Sequence, residues 1–375
     1  MNQYLKSYQI SMLTVGPVFI GSGKEIGKKE YIFLNKKQIG IPDMQKLYAE
    51  LTRQRKQAAF EDYLLGTANI GLSNWLLKEN IKLSSLQPFL KYTLDCGDAV
   101  NESNPNKLQV MDAIKDAYGK PYIPGTSLKG MFRTILLSAD IIHAPDKYRT
   151  VQNTLLQSAD RKTGRTNYLS KETQNIENIC YCNLKRPDTK PTDAVNDIMQ
   201  GFIISDSEPL SIDDLVLCQK IELHTNETET KLPLLRECIK PNTEIRFTIT
   251  IDTSICNITG KSLMTAVKQF IQNYYNNFAK AFPNVPPPKT NYVICGGGSG
   301  FVSKTIIYPM FGKNNGTNLT QKIFEKTMAP KIYNMHKHSR DNTLGVSPHI
   351  MKCTRYQEKL LQMGMCKIVK VIALP

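Results

Sequence analysis

The chain reads as an α+β protein built on an antiparallel, ferredoxin-like sheet, with large insertions and a basic C-terminal region. Three observations carry that expectation. Residues 241–252, PNTEIRFTITID, alternate without a break, with Ile245, Phe247, Ile249 and Ile251 on one side of a strand. Two stretches place apolar residues at helical spacing: Leu128, Met131, Phe132, Ile135 and Leu136, then Leu263, Val267, Phe270, Ile271, Tyr274 and Phe278. Short apolar runs fall before, between and after these helices.

Taken in order, YQISMLTV (8–15) opens with alternation and predicts a half-buried strand. A glycine- and lysine-rich loop follows, GPVFIGSGKEIGKKE, with Lys24, Lys28 and Lys29. Pro42-Asp43 opens a polar helix over 43–65, carrying Arg53, Arg55 and Lys56, and residues 66–120 are broken by Asn, Ser, Pro and Gly. The helix over 122–139 starts after Pro124-Gly125, with Thr126 or Ser127 as the N-cap and Lys129 and Arg133 on its polar face. Gly130 in its first turn costs about 1 kcal/mol against alanine, which suggests that something packs close to the backbone there. Residues 140–200 are polar, include Arg161, Lys162 and Arg165, and read as an insertion. GFIISD (201–206) is a short strand, DLVLCQKIEL (214–223) another in a hairpin arm, and NVPPPK leads from the last helix into the strand YVIC. Insertions aside, the order is βαββαβ, the arrangement that RNA-recognition modules (RRMs) share. The core spans 1–305, with insertions at about 43–120 and 140–200, and 306–375 forms the basic region.

Composition narrows the partner. The chain has 375 residues, 41% of them hydrophobic, and a formal net charge of +15. From Lys289 onward there are 13 Lys/Arg against 3 Asp/Glu, so two thirds of the excess lies in the last 87 residues. A one-signed field of that kind favours an anionic partner, with nucleic acid first. Nine cysteines at irregular spacing, with no C-x-x-C pair, fit neither a disulfide framework nor a structural zinc site. No targeting core and no run of 18 apolar residues appears, so a cytoplasmic protein with no membrane contact is expected.

NYVICGGGSGFVSKT (291–305) resembles a P-loop, G-x-x-x-x-G-K-[ST], counted from Gly298. Ser303 stands where the last glycine belongs, the glycine that turns backbone N–H groups inward. About 70 residues follow, too few for a nucleotidase domain. The loop reads better either as a tight turn or, preferred here, as a place where backbone approaches a polyanion, through Gly296, Gly297, Gly298 and Ser299 with Lys304 beside them.

The pieces YIPGTSLKGMFRTIL (122–136), GFIISDSEP (201–209), GGGSGFVSKT (296–305) and LTVGPVFIGSG (13–23) resemble the RAMP superfamily of CRISPR effector proteins. Within it, their order and spacing resemble the fifth subunits of type III-A Csm complexes. The resemblance implies an RNA-binding, non-catalytic subunit of a ribonucleoprotein. It would hold the 3′ part of the guide crRNA and cap a filament of repeated backbone RAMP subunits, meeting target RNA indirectly. It would support crRNA 3′-end maturation through recruited host nucleases, without a cofactor or metal of its own. The guide would lie on Lys24, Lys28, Lys29, Thr126, Ser127, Lys129, Arg133, Gly296, Gly297, Gly298, Ser299 and Lys304.

A second reading is a metal-dependent ribonuclease. Some RAMP relatives cut RNA with an early histidine, but the first here is His143. Backbone relatives use an aspartate in an N-terminal loop, where this chain has Glu25 and Glu30. Glu25 or Asp206 could bind a metal, although for Asp206 a buried aspartate capping a turn is the commoner case. His336 and His338 in MHKHSR read either as an acid/base pair or as further donors in the basic tail.

Overall fold

A computed structural model describes residues 4–67, 69–99, 109–160 and 168–375. The cluster Arg161, Lys162 and Arg165 lies outside the described residues. The strands are β1 (Leu5–Thr14), β2 (Gly21–Ile26), β3 (Ile32–Asn35), β4 (Gln38–Pro42), β5 (Leu90–Asp95), β6 (Gln109–Ala113), β7 (Phe202–Ile204), β8 (Leu215–His224), β9 (Glu229–Ile239), β10 (Glu244–Asp252), β11 (Tyr292–Ile294), β12 (Ile350–Tyr356), β13 (Lys359–Gln362) and β14 (Met365–Ala373). The α-helices are α1 (Met44–Arg53), α2 (Gln57–Leu65), α3 (Leu72–Lys78), α4 (Gly125–His143), α5 (Arg149–Ala159), α6 (Ser170–Tyr181), α7 (Gly260–Asn277), α8 (Ile307–Thr327), α9 (Pro330–Met335) and α10 (Asp341–Leu344).

The alternating strand and the two amphipathic helices build the first sheet. It runs β11-β14-β1-β10-β7, with every neighbour antiparallel. Ile245, Phe247, Ile249 and Ile251 of β10 point into one core with Ile10 and Met12 of β1. Leu128, Phe132 and Ile135 of α4 and Leu263, Val267 and Phe270 of α7 complete that core. Ile271, Tyr274 and Phe278 continue into a second cluster with Met351, Cys353 and Met365.

The strand order departs from the four-stranded plan expected. The βαββαβ elements are present along the chain, but β14 stands between β1 and β11, so the sheet has five strands and β11 is an edge. Tyr8 faces Ala373 and Thr14 faces Cys366 across the inserted pair. Residues 306–375 therefore share the sheet and the cores of residues 1–305. The coarse α+β reading stands, without the RRM-like topology.

Of the second sheet, only one strand was legible in the sequence. Its path is β2-β6-β9-β8-β5-β4-β3, with β12 and β13 joined through β8. The predicted strand at 214–223 is β8, and its hairpin partner is β9, with Leu217 opposite Glu237. The 43–65 helix is two helices, α1 and α2, broken where Arg55 takes a left-handed φ of 59°. Asp43 caps α1, accepting from the N–H groups of Gln45 and Lys46. A small core of Leu47, Leu51, Phe60, Tyr63, Trp75 and Leu76 holds α1–α3 together.

Candidate nucleic-acid interface

The predicted helix start is real, but its cap comes from elsewhere. Helix α4 begins at Gly125, not after Thr126 or Ser127, and neither side chain caps it. The Asp206 carboxylate, in the loop after β7, accepts the Gly125 N–H at 2.7 Å. A side chain at Gly125 would put its Cβ 2.3 Å from the Ile204 carbonyl oxygen, which is why the loop can come so close. The N-cap expected of Thr126 or Ser127 is thereby corrected. The positive end of the helix already faces an anion, so less of it remains for a phosphate. Asp206, weighed as a metal ligand or as a capping aspartate, is the cap. Gly130 is exposed, and among the described residues nothing beyond its own helix comes within 4 Å of where its Cβ would be, so no other part of the fold packs there as expected.

Arg133 is taken up inside the chain. Its guanidinium donates to Asp197 at 2.8 Å and to Glu177 at 3.0 and 3.2 Å, and lies over the Tyr181 ring at 4.2 Å. Tyr181 donates back to the Arg133 carbonyl at 2.5 Å. Burial pulls the guanidinium down, and the bonds to Asp197 and Glu177 more than reverse this. Arg133 thus fastens the 170–200 segment to α4. Its neighbour Lys129 is half-buried, and burial draws its ammonium below the ordinary range.

Lys29 is likewise committed. Its ammonium donates to the carbonyls of Tyr63, Leu64 and Gly66 at 2.7, 3.0 and 2.8 Å, closing the C-terminal end of α2, where a cation is favoured. Lys28 is half-buried, and its carbonyl accepts from Leu72 N–H at 3.0 Å. Lys24 and Glu25 stand exposed on β2.

The glycine-rich loop folds onto the chain itself. Gly297 N–H donates to the Phe19 carbonyl at 2.6 Å. Gly296 has a φ of 82°, and a Cβ there would lie 2.5 Å from the same oxygen. Ser299 is buried and donates to the Gly296 carbonyl at 3.0 Å, so its hydroxyl does not face outward. Ser303 is also buried and donates to Gly300. The structure thereby joins two predicted pieces, the opening loop around Phe19 and the loop 296–300. It also brings Lys304 and Arg133 to the walls of one cavity of ≈ 270 Å³. Lys304 itself is exposed.

Under the loop lie cations that sequence reasoning missed. A Cβ at Gly298 would sit 2.8 Å from an Arg236 guanidinium nitrogen. That guanidinium lies over Phe19 at 5.4 Å, and its Nε is buried with no hydrogen-bond partner. Among the described residues no carboxylate pairs with it, and burial pulls it below the usual arginine range. Lys220 and Lys352 line the adjoining cavity with Ser299, Gly300 and Phe301. Burial lowers Lys220, and the charges of Lys352 and Arg236 lower it further, so the three cations feel one another. One buried carboxylate, Glu222, opposes them, 2.5 Å from Lys352, 3.8 Å from Lys220 and 3.3 Å from His336. An arginine in KLPLLRECI was the available signal, a charge amid apolar residues of a strand.

The histidines correct another expectation. His338 is 3% exposed and packs on Asp341, so it is no surface donor in a basic tail. His336 turns toward Glu222.

An antiparallel sheet with two helices on one face, joined to a second sheet and a basic basin under a glycine-rich loop, defines an α+β protein related to the ferredoxin-like class. The family model described as the RAMP superfamily matches residues 12–278. Relatives named "CRISPR system Cms protein Csm5" are similar over most of their length. The one from Mycobacterium tuberculosis (strain CDC 1551 / Oshkosh) is 28% identical with 98% of each chain covered, and the one from Streptococcus thermophilus is 30% identical with 81% of each covered. The chain belongs to the RAMP superfamily and, within it, to the Csm5 family. Its fold is similar to a chain in the cryo-EM structure of a Csm–crRNA–target RNA ternary complex of a type III-A CRISPR-Cas system (TM-score 0.64, 16% identity, covering 96% of this chain and all of that one). It is also similar to the crystal structure of T. onnurineus Csm5 (TM-score 0.51, 16% identity, with the same coverage). No described helix is long and apolar enough to cross a membrane.

Proposed function

We propose that this chain is a non-catalytic, RNA-binding subunit of a type III-A CRISPR effector complex. It holds the 3′ part of the guide crRNA, caps the filament of backbone subunits and supports guide 3′-end maturation through recruited nucleases, in the cytoplasm. The observation that carries the RNA-binding part is Arg236, a cation that no described carboxylate pairs with, beneath a glycine-rich loop and beside Lys220 and Lys352. Such a basin meets a sugar–phosphate chain by charge, and the loop above it has no bulky side chain to keep that chain away. Lys24 and Lys304, exposed nearby in sequence to the two loops, extend the positive field; Lys29 and Arg133 are left out because their charges are used within the fold.

The test is assembly. The complex is purified with wild-type or Arg236→Glu chain, and the retained subunit and guide-length distribution are measured. Weaker retention with longer, untrimmed guides is expected. Equal retention and equal guide lengths, at matched melting temperature, overturn the reading.

A further inference from the structure

A second constellation adjoins the basin in the C-terminal half, where His336 and His338 line the same cavity as Lys220 and Lys352. The chain has five histidines, and four of them meet there. The rings of His224 and His349 are 6.0 Å apart, those of His349 and His338 5.5 Å, and those of His338 and His336 5.8 Å. Between the inner two sits Asp341. His338, Asp341 and His349 are 3%, 0% and 6% exposed, and their ligand atoms all lie within 4.8 Å of one another. His338 Nδ1 is 3.2 and 3.4 Å from the two Asp341 oxygens, and His349 Nδ1 contacts Oδ1. Ser347 donates to Oδ2 at 2.5 Å, and Tyr308 donates to the Ser347 carbonyl at 2.7 Å and accepts its N–H.

We propose that His338, Asp341 and His349 bind one divalent transition-metal ion, zinc by their chemistry, which fastens α10 to β12. The first reason is charge. A fully buried carboxylate needs a cation, and among the described residues no lysine or arginine pairs with Asp341. Only an imidazolium proton or a metal ion can supply it. The second is the donor set. Two imidazoles and a carboxylate suit zinc, whereas magnesium and calcium prefer oxygen throughout. The third is spacing. Zinc bonds of about 2.0–2.2 Å set tetrahedral donor atoms roughly 3.3 Å apart, which the His338–Asp341 separation already meets. His349 must turn slightly to release its hydrogen bond; Nδ1 then faces the ion and the ring proton resides on Nε2. Ser347, held by Tyr308, orients the carboxylate from outside, the role outer partners play at metal sites. The site is closed to solvent, so its role is structural. His349 leads into β12, which carries Lys352, so the ion would stiffen one wall of the basin without touching RNA.

The test is made on the full chain, purified without chelator or histidine tag. Elemental analysis should find one zinc per chain, lost in His338→Gln and His349→Gln. After chelation, zinc chloride should raise the melting temperature by several degrees, and magnesium chloride should not. Cobalt should give a visible absorption band when it binds, a readout that needs no variant to fold. Metal-free protein whose melting temperature ignores zinc, with no cobalt spectrum, would mean that a proton bridges the cluster instead. RNA binding is measured separately, so this failure would leave the basin's reading intact.

Discussion

Arg133 and Arg236 sit in comparable surroundings and do opposite things. Each is partly buried, and each lies over an aromatic ring, Tyr181 in one case and Phe19 in the other. Arg133 meets two carboxylates and is held above the usual arginine range. Arg236 meets none among the described residues and is held below it. The first is saturated and serves the fold. The second keeps an unanswered charge that costs stability in isolation, and it can recover that cost when an anion arrives. A basic residue at a helix start looks like a binding residue in sequence, yet the partners decide which arginine is free.

The sharpest way to break this contrast is Arg133→Ala. It leaves Asp197 and Glu177 without their cation, so the chain should lose about 2 kcal/mol in urea unfolding, carried mainly by the less exposed Asp197 arm. RNA affinity should stay near wild type. A variant that kept full stability and lost RNA binding would reverse the assignment.

Arg236→Ala should do the converse. Affinity for single-stranded RNA should fall about tenfold, equivalent to ~1.4 kcal/mol, with stability in unfolding equal to wild type or slightly above it. Filter binding at one fixed salt concentration reads this, and unchanged affinity would move the interface away from the glycine-rich loop.

Glu237 offers a smaller test, one residue along the same strand and on its other face. It is wholly buried, with Lys115 at 2.6 Å and Tyr92 at 2.7 Å. Burial raises its carboxyl above the ordinary value of 4.5, and Lys115 only partly offsets this. The folded chain therefore holds that proton more tightly than the unfolded chain. Stability from this group is greatest below the ordinary carboxylate range and declines as pH rises through the raised value. Glu237→Gln should flatten that part of the pH–stability curve; an unchanged curve would place the slope elsewhere.

The smallest effect is expected from Lys304→Ala. An exposed lysine on one phosphate should remove about 0.7 from the slope of log K against log salt, with no change in melting. No change in slope would leave Lys304 a solvated residue.

What could be read from the sequence was periodic. The β10 alternation and the α7 stripe from Leu263 to Phe278 are local patterns, and burial follows them residue by residue. What could not be read depends on neighbours distant along the chain. Arg236 meets Gly298, Arg133 meets Asp197, and His349 meets Asp341 only after loops between them have closed. The glycines of 296–298 showed that something comes close, but not that Phe19 does. Strand β9 contains a proline and an arginine, which masked it, and β14 was visible only as basic.

The place of β14 has a temporal consequence. Strand β1 is made first, yet one of its flanks stays open until residues 365–373 exist to pair with it. Contacts of such long sequence separation form slowly, since the intervening chain must be drawn together first. On the ribosome, the exposed flank of β1 would be a ready template for strands of other chains throughout synthesis. A chain interrupted before β14 would keep that adhesive edge, so quality control of this protein would act on the arrival of β14.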